Sequence, residues 1–432
     1  MKKYGLVALV SIATLVWACE KSSTREPVYT GKGGASPIGT GGIPATGGFS
    51  FDGGGLGDGN FNETDAPAAP ATFTKAALLK GTADCALGLY QQFNTKAAGL
   101  QAAVAAYGAA PSAENLTAAQ TAWRAAMGTW QQAEAFQFGP AAGTSEVAGQ
   151  GLRDQIYSFP AVSRCQVDVQ LVNQAYAQPD FGNSFINGRG LSALEYLLFY
   201  AGAANACPAP SEINMKGTWA TLSANELQKR RVDYAVAVAN ALVPRGQSLV
   251  NAWESGGFKQ QFETAGTSSK LFATDQAALN AAFDGLFFLE FTLRDAKLGT
   301  PLGGTLDCAQ KPCPQALESP YSRESTTNII NNLVGVKRLL LGCDASGEAI
   351  GFDDWLVAAN QAAVADQLRT LLNNALALAT TLTPPLEDAI TTAPDKVIAL
   401  REAVRQLTML LKMQFASVLN LDLPMSVEGD ND

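Results

Sequence analysis

The stretch Gly190-Leu-Ser-Ala-Leu-Glu195-Tyr-Leu-Leu-Phe199 is almost entirely apolar and carries a single carboxylate. This composition predicts a helix that is buried on most sides, because it has no polar face to turn toward water. Glu195 stands among leucines, and a buried carboxylate is costly unless another group pairs with it. Ser192 lies three residues earlier, on the same face of the predicted helix. Glu195 and Ser192 are therefore the first candidate site residues.

The composition indicates a globular chain with a large core. The chain has 432 residues, of which 47% are hydrophobic, enough for one large domain or two ordinary ones. The formal net charge is −9, and no basic run stands out. These features argue against nucleic acid and against anionic membrane surfaces as partners.

The first 70 residues predict export and attachment to a membrane. Two lysines precede an apolar run that ends at Ala18, which is typical of a signal peptide (1–18) and too short for a transmembrane helix. Ala18-Cys19 resembles a lipoprotein cleavage site, with lipid on Cys19 as the membrane anchor. An ordinary signal peptide with an incidental cysteine is the alternative. Recurrent Gly-Gly pairs predict a flexible tether over 19–70.

Six cysteines follow Cys19, and an even number in an exported chain predicts disulfide bonds. Cys308 and Cys313 flank a turn-rich Ala-Gln-Lys-Pro segment, so a local bridge is one interpretation. The pattern fits a zinc site less well, because such sites usually show closer pairs with further ligands. The overall pairing stays open among Cys85, Cys165, Cys207, Cys308, Cys313 and Cys343.

From about residue 72 onward the apolar spacing is helical and strand-like alternation is scarce. We predict an all-α fold of two antiparallel helical bundles packed together. A proline-containing break at 207–210 is the expected boundary between an N-terminal bundle (71–206) and a C-terminal bundle (207–432). The predicted helices span 75–106, 112–138, 152–158, 167–177, 190–202, 223–254 with an interruption near Pro244, 275–297, 325–341, 353–381 and 394–419.

Gly190 and Glu195 match the Gly-x-His-x-x-Glu motif of the imelysin family, and the segment resembles that motif. Ser192 occupies the histidine position, and the chain contains no histidine. Further resemblances follow in order within about residues 71–425. They are Trp-Arg-Ala-Ala-Met at 123–127, Phe-Gly-Pro at 138–140, Asp-Gln-Ile-Tyr-Ser-Phe-Pro at 154–160, Leu-Gly-Thr-Pro at 298–301 and Glu-Ser-Pro-Tyr-Ser at 318–322.

The resemblance implies two helical bundles with a site between them, in exported or membrane-attached bacterial proteins that are often linked to iron uptake. Some members are described as metallopeptidases, and the motif histidine and glutamate are the family's proposed metal ligands. It also implies that Tyr321 and Ser322 line the cleft. Arginines are common in the family where this chain has Met127 and Gln137, so positive charge near the site is reduced here.

The residues themselves leave the role of Glu195 open. Serine is a poor substitute for imidazole, which disfavours zinc. Glu195 could still bind iron or another divalent or trivalent metal if Glu134 or Asp154 supplied further oxygen ligands. The alternative is a structural polar centre, in which Glu195 pairs with Arg124 or Arg153 or bonds Ser192.

Hydrolytic chemistry is weakly supported. Without histidine the chain has neither a His-Glu-x-x-His zinc motif nor a Ser–His–Asp triad.

Trp123 and Trp130 lie seven residues apart on one helix face, which favours core packing over ligand stacking. Arg294, Asp295 and Lys297 are interpreted as a solvated helix end.

The leading hypothesis is a non-catalytic binding protein of the bacterial envelope, imelysin-like and associated with iron or other metal uptake. It would be lipid-anchored at the outer membrane or facing the periplasm. Its expected partners are the membrane, through Cys19, and a metal or small ligand. The alternatives are a metallopeptidase with a histidine-free site and a structural envelope module with a vestigial cleft. Whether the chain is an enzyme at all stays open.

Overall fold

The computed structural model describes residues 73–306, 308–343 and 349–424. All of these fall within one compact unit, Asn62–Asp432. The predicted signal peptide (1–18), the lipidation site Cys19 and the tether (19–70) lie outside the described residues.

Helices connected by turns and loops account for the described residues, and none of these residues forms a strand, which confirms the predicted all-α fold. The α-helices are α1 (Lys75–Ala109), α2 (Ala113–Ala133), α3 (Leu152–Ile156), α4 (Arg164–Asn173), α5 (Gly190–Phe199), α6 (Glu212–Met215), α7 (Ala224–Trp253), α8 (Phe258–Glu263), α9 (Asp275–Asp284), α10 (Thr300–Leu302), α11 (Ser325–Leu341), α12 (Phe352–Ala358), α13 (Ala362–Thr380), α14 (Leu386–Thr392), α15 (Pro394–Leu410) and α16 (Ala416–Leu419). Leu289–Gly299 and Leu411–Phe415 are π-helical, and short 3₁₀ turns occupy Glu134–Phe136, Gly139–Ala141, Ala175–Ala177, Phe181–Asn183, Ile186–Gly188, Gly285–Phe287 and Pro314–Ala316.

The helices form two packed groups. In the first, α1 packs against α2 and α7, and the buried α5 packs against α7 and α2. In the second, α13 packs against α11 and α15, and α15 packs against the π-helical segment Leu289–Gly299. Contacts between α2 and α11 join the groups. The two-bundle architecture predicted from the sequence is confirmed.

Helix α7 follows the predicted domain boundary at residue 207, yet its main packing partners, α1 and α5, precede that boundary. The first group of helices therefore draws on both sides of the break at 207–210. The division of the chain into 71–206 and 207–432 stays a prediction.

The differences between the predicted and observed helices include those at Pro244 and within 353–381. Helix α7 runs without interruption through Pro244, because Leu242 and Gly246 on either side are buried in the core and this packing outweighs the local cost of proline. The predicted helix over 353–381 is instead divided between α12 and α13. Asn360, with a φ of 60°, makes the turn between them.

The six cysteines form three disulfides, Cys85–Cys343, Cys165–Cys207 and Cys308–Cys313. The disulfide prediction is confirmed, including the local bridge.

The core is rich in aromatic side chains. Trp123 and Trp130 are both fully buried, as the spacing on α2 predicted. Among the described residues, no helix combines the length and apolarity needed to cross a membrane.

Candidate functional site

Gly190 begins α5 in a conformation that requires glycine. Its φ is +79°, and a Cβ atom there would lie 2.7 Å from the carbonyl oxygen of Ile156. This close approach brings the start of α5 against the end of α3. The glycine of the motif thus has a packing role that positions the helix carrying Ser192 and Glu195.

Glu195 is 1% exposed, as the sequence predicted, and its partners are backbone amides from a distant loop. Its Oε1 accepts hydrogen bonds from the N–H groups of Tyr321 and Ser322, each at 2.8 Å. Burial raises the pKa of the Glu195 carboxyl to about 7, although these two amides and the charge of Arg164 oppose the rise. The carboxylate therefore joins α5 to the 318–322 segment.

The prediction that Glu195 pairs with Arg124 or Arg153, or bonds Ser192, is wrong. Arg124 instead pairs with Glu324, and Arg153 pairs with Glu134 and Asp154. Ser192 is buried, and its hydroxyl has no hydrogen-bond partner among the described residues. It therefore does not bond Glu195, whose Oε1 instead accepts two backbone amides from another segment.

Glu134 and Asp154 come together around Arg153 rather than around Glu195. The Arg153 guanidinium lies 2.8 Å from Glu134 Oε2 and 2.9 Å from Asp154 Oδ1, and it also donates to the Phe159 carbonyl. Glu134 is fully buried, whereas the Asp154 side chain is 51% exposed. The guanidinium neutralises a carboxylate that would otherwise be isolated in the core.

A second buried ion pair joins Lys297 and Glu318, with Lys297 Nζ 3.1 Å from Glu318 Oε2. Lys297 Nζ also donates to Gln131 Oε1 at 2.7 Å and to Asn332 Oδ1 at 2.8 Å, while the Tyr157 hydroxyl donates to Glu318. Burial lowers the pKa of the Lys297 amine, and the charge of Glu318 opposes this effect.

The interpretation of Lys297 as part of a solvated helix end is wrong, since its side chain is 1% exposed. A signal was available in the sequence. Leu289 and Leu293 precede Lys297 at a spacing of four residues, so Lys297 continues an apolar face. Arg294 is also buried and pairs with Glu290 and Asp295.

The donors around the motif do not fit a transition metal held by the protein. Glu195 Oε1 already accepts two N–H groups, and the neutral Ser192 hydroxyl is a poor ligand. Within the described ranges, no three or more Cys, Asp or Glu side chains lie close enough together to hold a metal ion.

A cavity of about 950 Å³ lies beside the segment that Glu195 holds, since Tyr321 is among its lining residues. Residues of 159–165 and Ala206 form one side, and residues of 296–321 form the other. Tyr321 is part of its wall, and the guanidinium of Arg164 lies 5.3 Å from the centre of the Tyr321 ring. Arg164 also donates to the carbonyls of Gln315 and Leu317, so it joins the two sides.

The model of the imelysin family matches residues 86–414. The chain belongs to the imelysin family. The matched range includes Gly190, Ser192 and Glu195, the residues that resemble the family motif.

Relatives support this assignment. The chain is 26% identical over 305 residues to "Iron-regulated protein A" of Synechococcus elongatus, a match covering 70% of this chain and 74% of that protein. A crystal structure assigned as an iron-regulated protein A precursor from Parabacteroides distasonis superposes with a TM-score of 0.61 at 20% identity. That match covers 82% of this chain and 96% of the other. An imelysin-like protein from Psychrobacter arcticum gives a TM-score of 0.59 at 20% identity, over 82% and 98% of the two chains. The two structures share the imelysin fold with this chain.

Glu195 makes the stability of the protein depend on pH. The folded protein keeps this carboxyl protonated up to about pH 7, whereas its ordinary pKa is 4.5. Between these values unfolding releases a proton, so the free energy of unfolding falls as pH rises, by up to about 1.4 kcal/mol per pH unit. Replacement by glutamine keeps an oxygen for the two amides but does not titrate.

We therefore expect Glu195→Gln to become more stable relative to the wild type as pH rises from about 5 to 7. Urea unfolding at several pH values measures this difference. Glu114→Gln, at an exposed position on α2, is the control and should show little change. A Glu195→Gln difference that stays constant with pH would contradict the assignment.

Proposed function

We propose that this chain is a non-catalytic binding protein of the bacterial cell envelope that serves iron acquisition, attached to a membrane through lipid on Cys19. The observation that carries the proposal is the 950 Å³ cavity walled by Tyr321, whose backbone is held by the buried Glu195. A preformed cavity with a few polar groups on its wall is typical of a small-molecule site. The iron-related names of the relatives supply the biological context.

The donor chemistry favours a ligand that brings its own metal coordination. A protein-held iron or zinc ion needs several converging ligands, whereas Glu195 is engaged with backbone amides. Iron in this cavity would therefore arrive already bound by an organic chelator. The same lack of ligands disfavours the metallopeptidase alternative, because a hydrolytic zinc site needs about three protein ligands and an open position.

The wall of the cavity suits an anionic chelate. Arg164 supplies the positive charge, and Ser163, Thr300 and Gln315 add hydrogen-bonding groups. Apolar residues, including Phe159 and Leu317, complete the lining and would cover the organic part of the ligand. A citrate complex of ferric iron has this combination of negative charge and small size, and it serves as the probe.

The test measures ferric citrate retained after desalting, for the wild type and two alanine-to-tryptophan variants. Ala316→Trp places a large side chain in the cavity wall, whereas Ala105→Trp lies on the exposed face of α1. We expect Ala316→Trp to weaken binding by about tenfold or more, because one bulky ring displaces much of the ligand's contact area, and Ala105→Trp to have no effect.

The alternatives give different outcomes in the same preparation. Peptide cleavage that requires Glu195, together with stoichiometric metal lost in Glu195→Ala, would establish the metallopeptidase instead. If ferric citrate does not bind and Glu195→Ala changes only stability, the structural-module hypothesis replaces the binding function.

A further inference from the structure

A second cavity, of about 400 Å³, shares no lining residue with the first. Its wall is formed by residues of the loop 137–147, the start of α3, the end of α9 and the segment that follows α9. Much of the lining is apolar, and it includes Val147 and Phe291, which are 47% and 42% exposed. Large apolar side chains left in water beside a concavity are characteristic of a binding surface.

Asp284 is the last residue of α9 and lines this cavity. Its side chain forms no hydrogen bond or ion pair with any described residue. Burial, followed by the negative charges of Glu146 and Asp422, raises the pKa of Asp284 to about 7. Such an uncompensated group in a cleft is a candidate for binding.

Among the described residues, no basic side chain forms an ion pair with Asp284. Arg153 is the only basic side chain among the lining residues, and it is committed to Glu134, Asp154 and the Phe159 carbonyl. Glu146 and Asp154 add negative charge from the loop and from α3. Asp422, from the end of the described chain, accepts a hydrogen bond from Asn280.

We propose that this cavity binds a small organic cation, a primary amine with an aromatic or branched apolar body. The ammonium group donates to Asp284, and the apolar body packs against Phe291 and Val147. The ammonium supplies a positive charge to pair with Asp284, and the apolar walls select against a hydrated metal ion. This site is independent of the ferric chelate cavity and of the function proposed for it.

The test is calorimetric titration of the full chain with phenethylamine at about pH 8, with 2-phenylethanol as the neutral analogue. We expect saturable amine binding with a dissociation constant of about 1 mM or lower, and at least tenfold weaker binding of the alcohol. Asp284→Asn should weaken amine binding by about tenfold or more. Asp233→Asn, on the exposed side of α7, should leave it unchanged.

A pH series provides a second readout. The amine binds the ionised form of Asp284, so lowering the pH from about 8 to 5.5 should weaken binding by roughly tenfold or more, and this dependence should disappear in Asp284→Asn. Absence of amine binding, equal binding of the amine and the alcohol, or an unchanged dissociation constant in Asp284→Asn would each overturn the proposal.

Discussion

Replacing Lys297 with methionine is expected to lower the free energy of unfolding by about 3–5 kcal/mol, because Glu318 would keep a buried charge without its cation. Methionine preserves much of the side-chain length, so the main loss is electrostatic. Gln131 and Asn332 would also lose the ammonium donor that their carbonyl oxygens accept from. Urea unfolding followed by circular dichroism measures the change.

Two further variants distinguish the loss of the buried ion pair from other effects of replacing a lysine. Lys229→Met removes an exposed lysine that pairs with Asp233, and it should cost less than about 1 kcal/mol. The double variant Lys297→Met with Glu318→Gln should lose less than the sum of the two single variants, because neither charge is then left alone. If Lys297→Met lowers the free energy of unfolding no more than Lys229→Met does, the buried ion pair contributes little to stability.

Removing the Cys85–Cys343 disulfide is the second change with a large expected effect. The bridge joins residues separated by 258 positions, so it restricts a long loop in the unfolded chain. The loop-entropy relation predicts that Cys85→Ala with Cys343→Ala lowers the free energy of unfolding by about 5.5 kcal/mol. Both cysteines sit against the core, so alanine is the mildest replacement.

The Cys308–Cys313 bridge is the matched control, since its cysteines are separated by only five positions. The same relation gives about 2 kcal/mol for its removal. Equal losses for the two double variants would contradict an origin in loop closure and would point to local packing around each cysteine.

Much of the fold could be predicted because helices are encoded locally. The helix predicted to begin at residue 112 does so with Ser112 as its cap, whose hydroxyl accepts from the N–H of Asn115 at 3.1 Å. The break at Asn360 and the continuity of α7 through Pro244 were missed, because the first depends on a single turn conformation and the second on packing against α1 and α5.

The candidate site was predicted only in part. The apolar neighbours of Glu195 were sufficient to predict its burial, but its partners lie 126 and 127 residues further along the chain. The sequence allowed Arg153 as a partner for Glu195, but in the folded protein Arg153 pairs with Glu134. Charge pairing inside a core depends on which surfaces meet, and one sequence read without its relatives does not reveal that.

The sequence by itself determined the helical architecture, the burial of the α5 carboxylate and the absence of imidazole chemistry, because these follow from local apolar spacing and residue type. The tertiary structure alone decided that Glu195 accepts hydrogen bonds from backbone amides, that Lys297 is buried against Glu318, and that Asp284 lines a cavity where no described side chain forms an ion pair with it. The physical reason is that these energies depend on distance and dielectric environment, and helices far apart in the sequence set both.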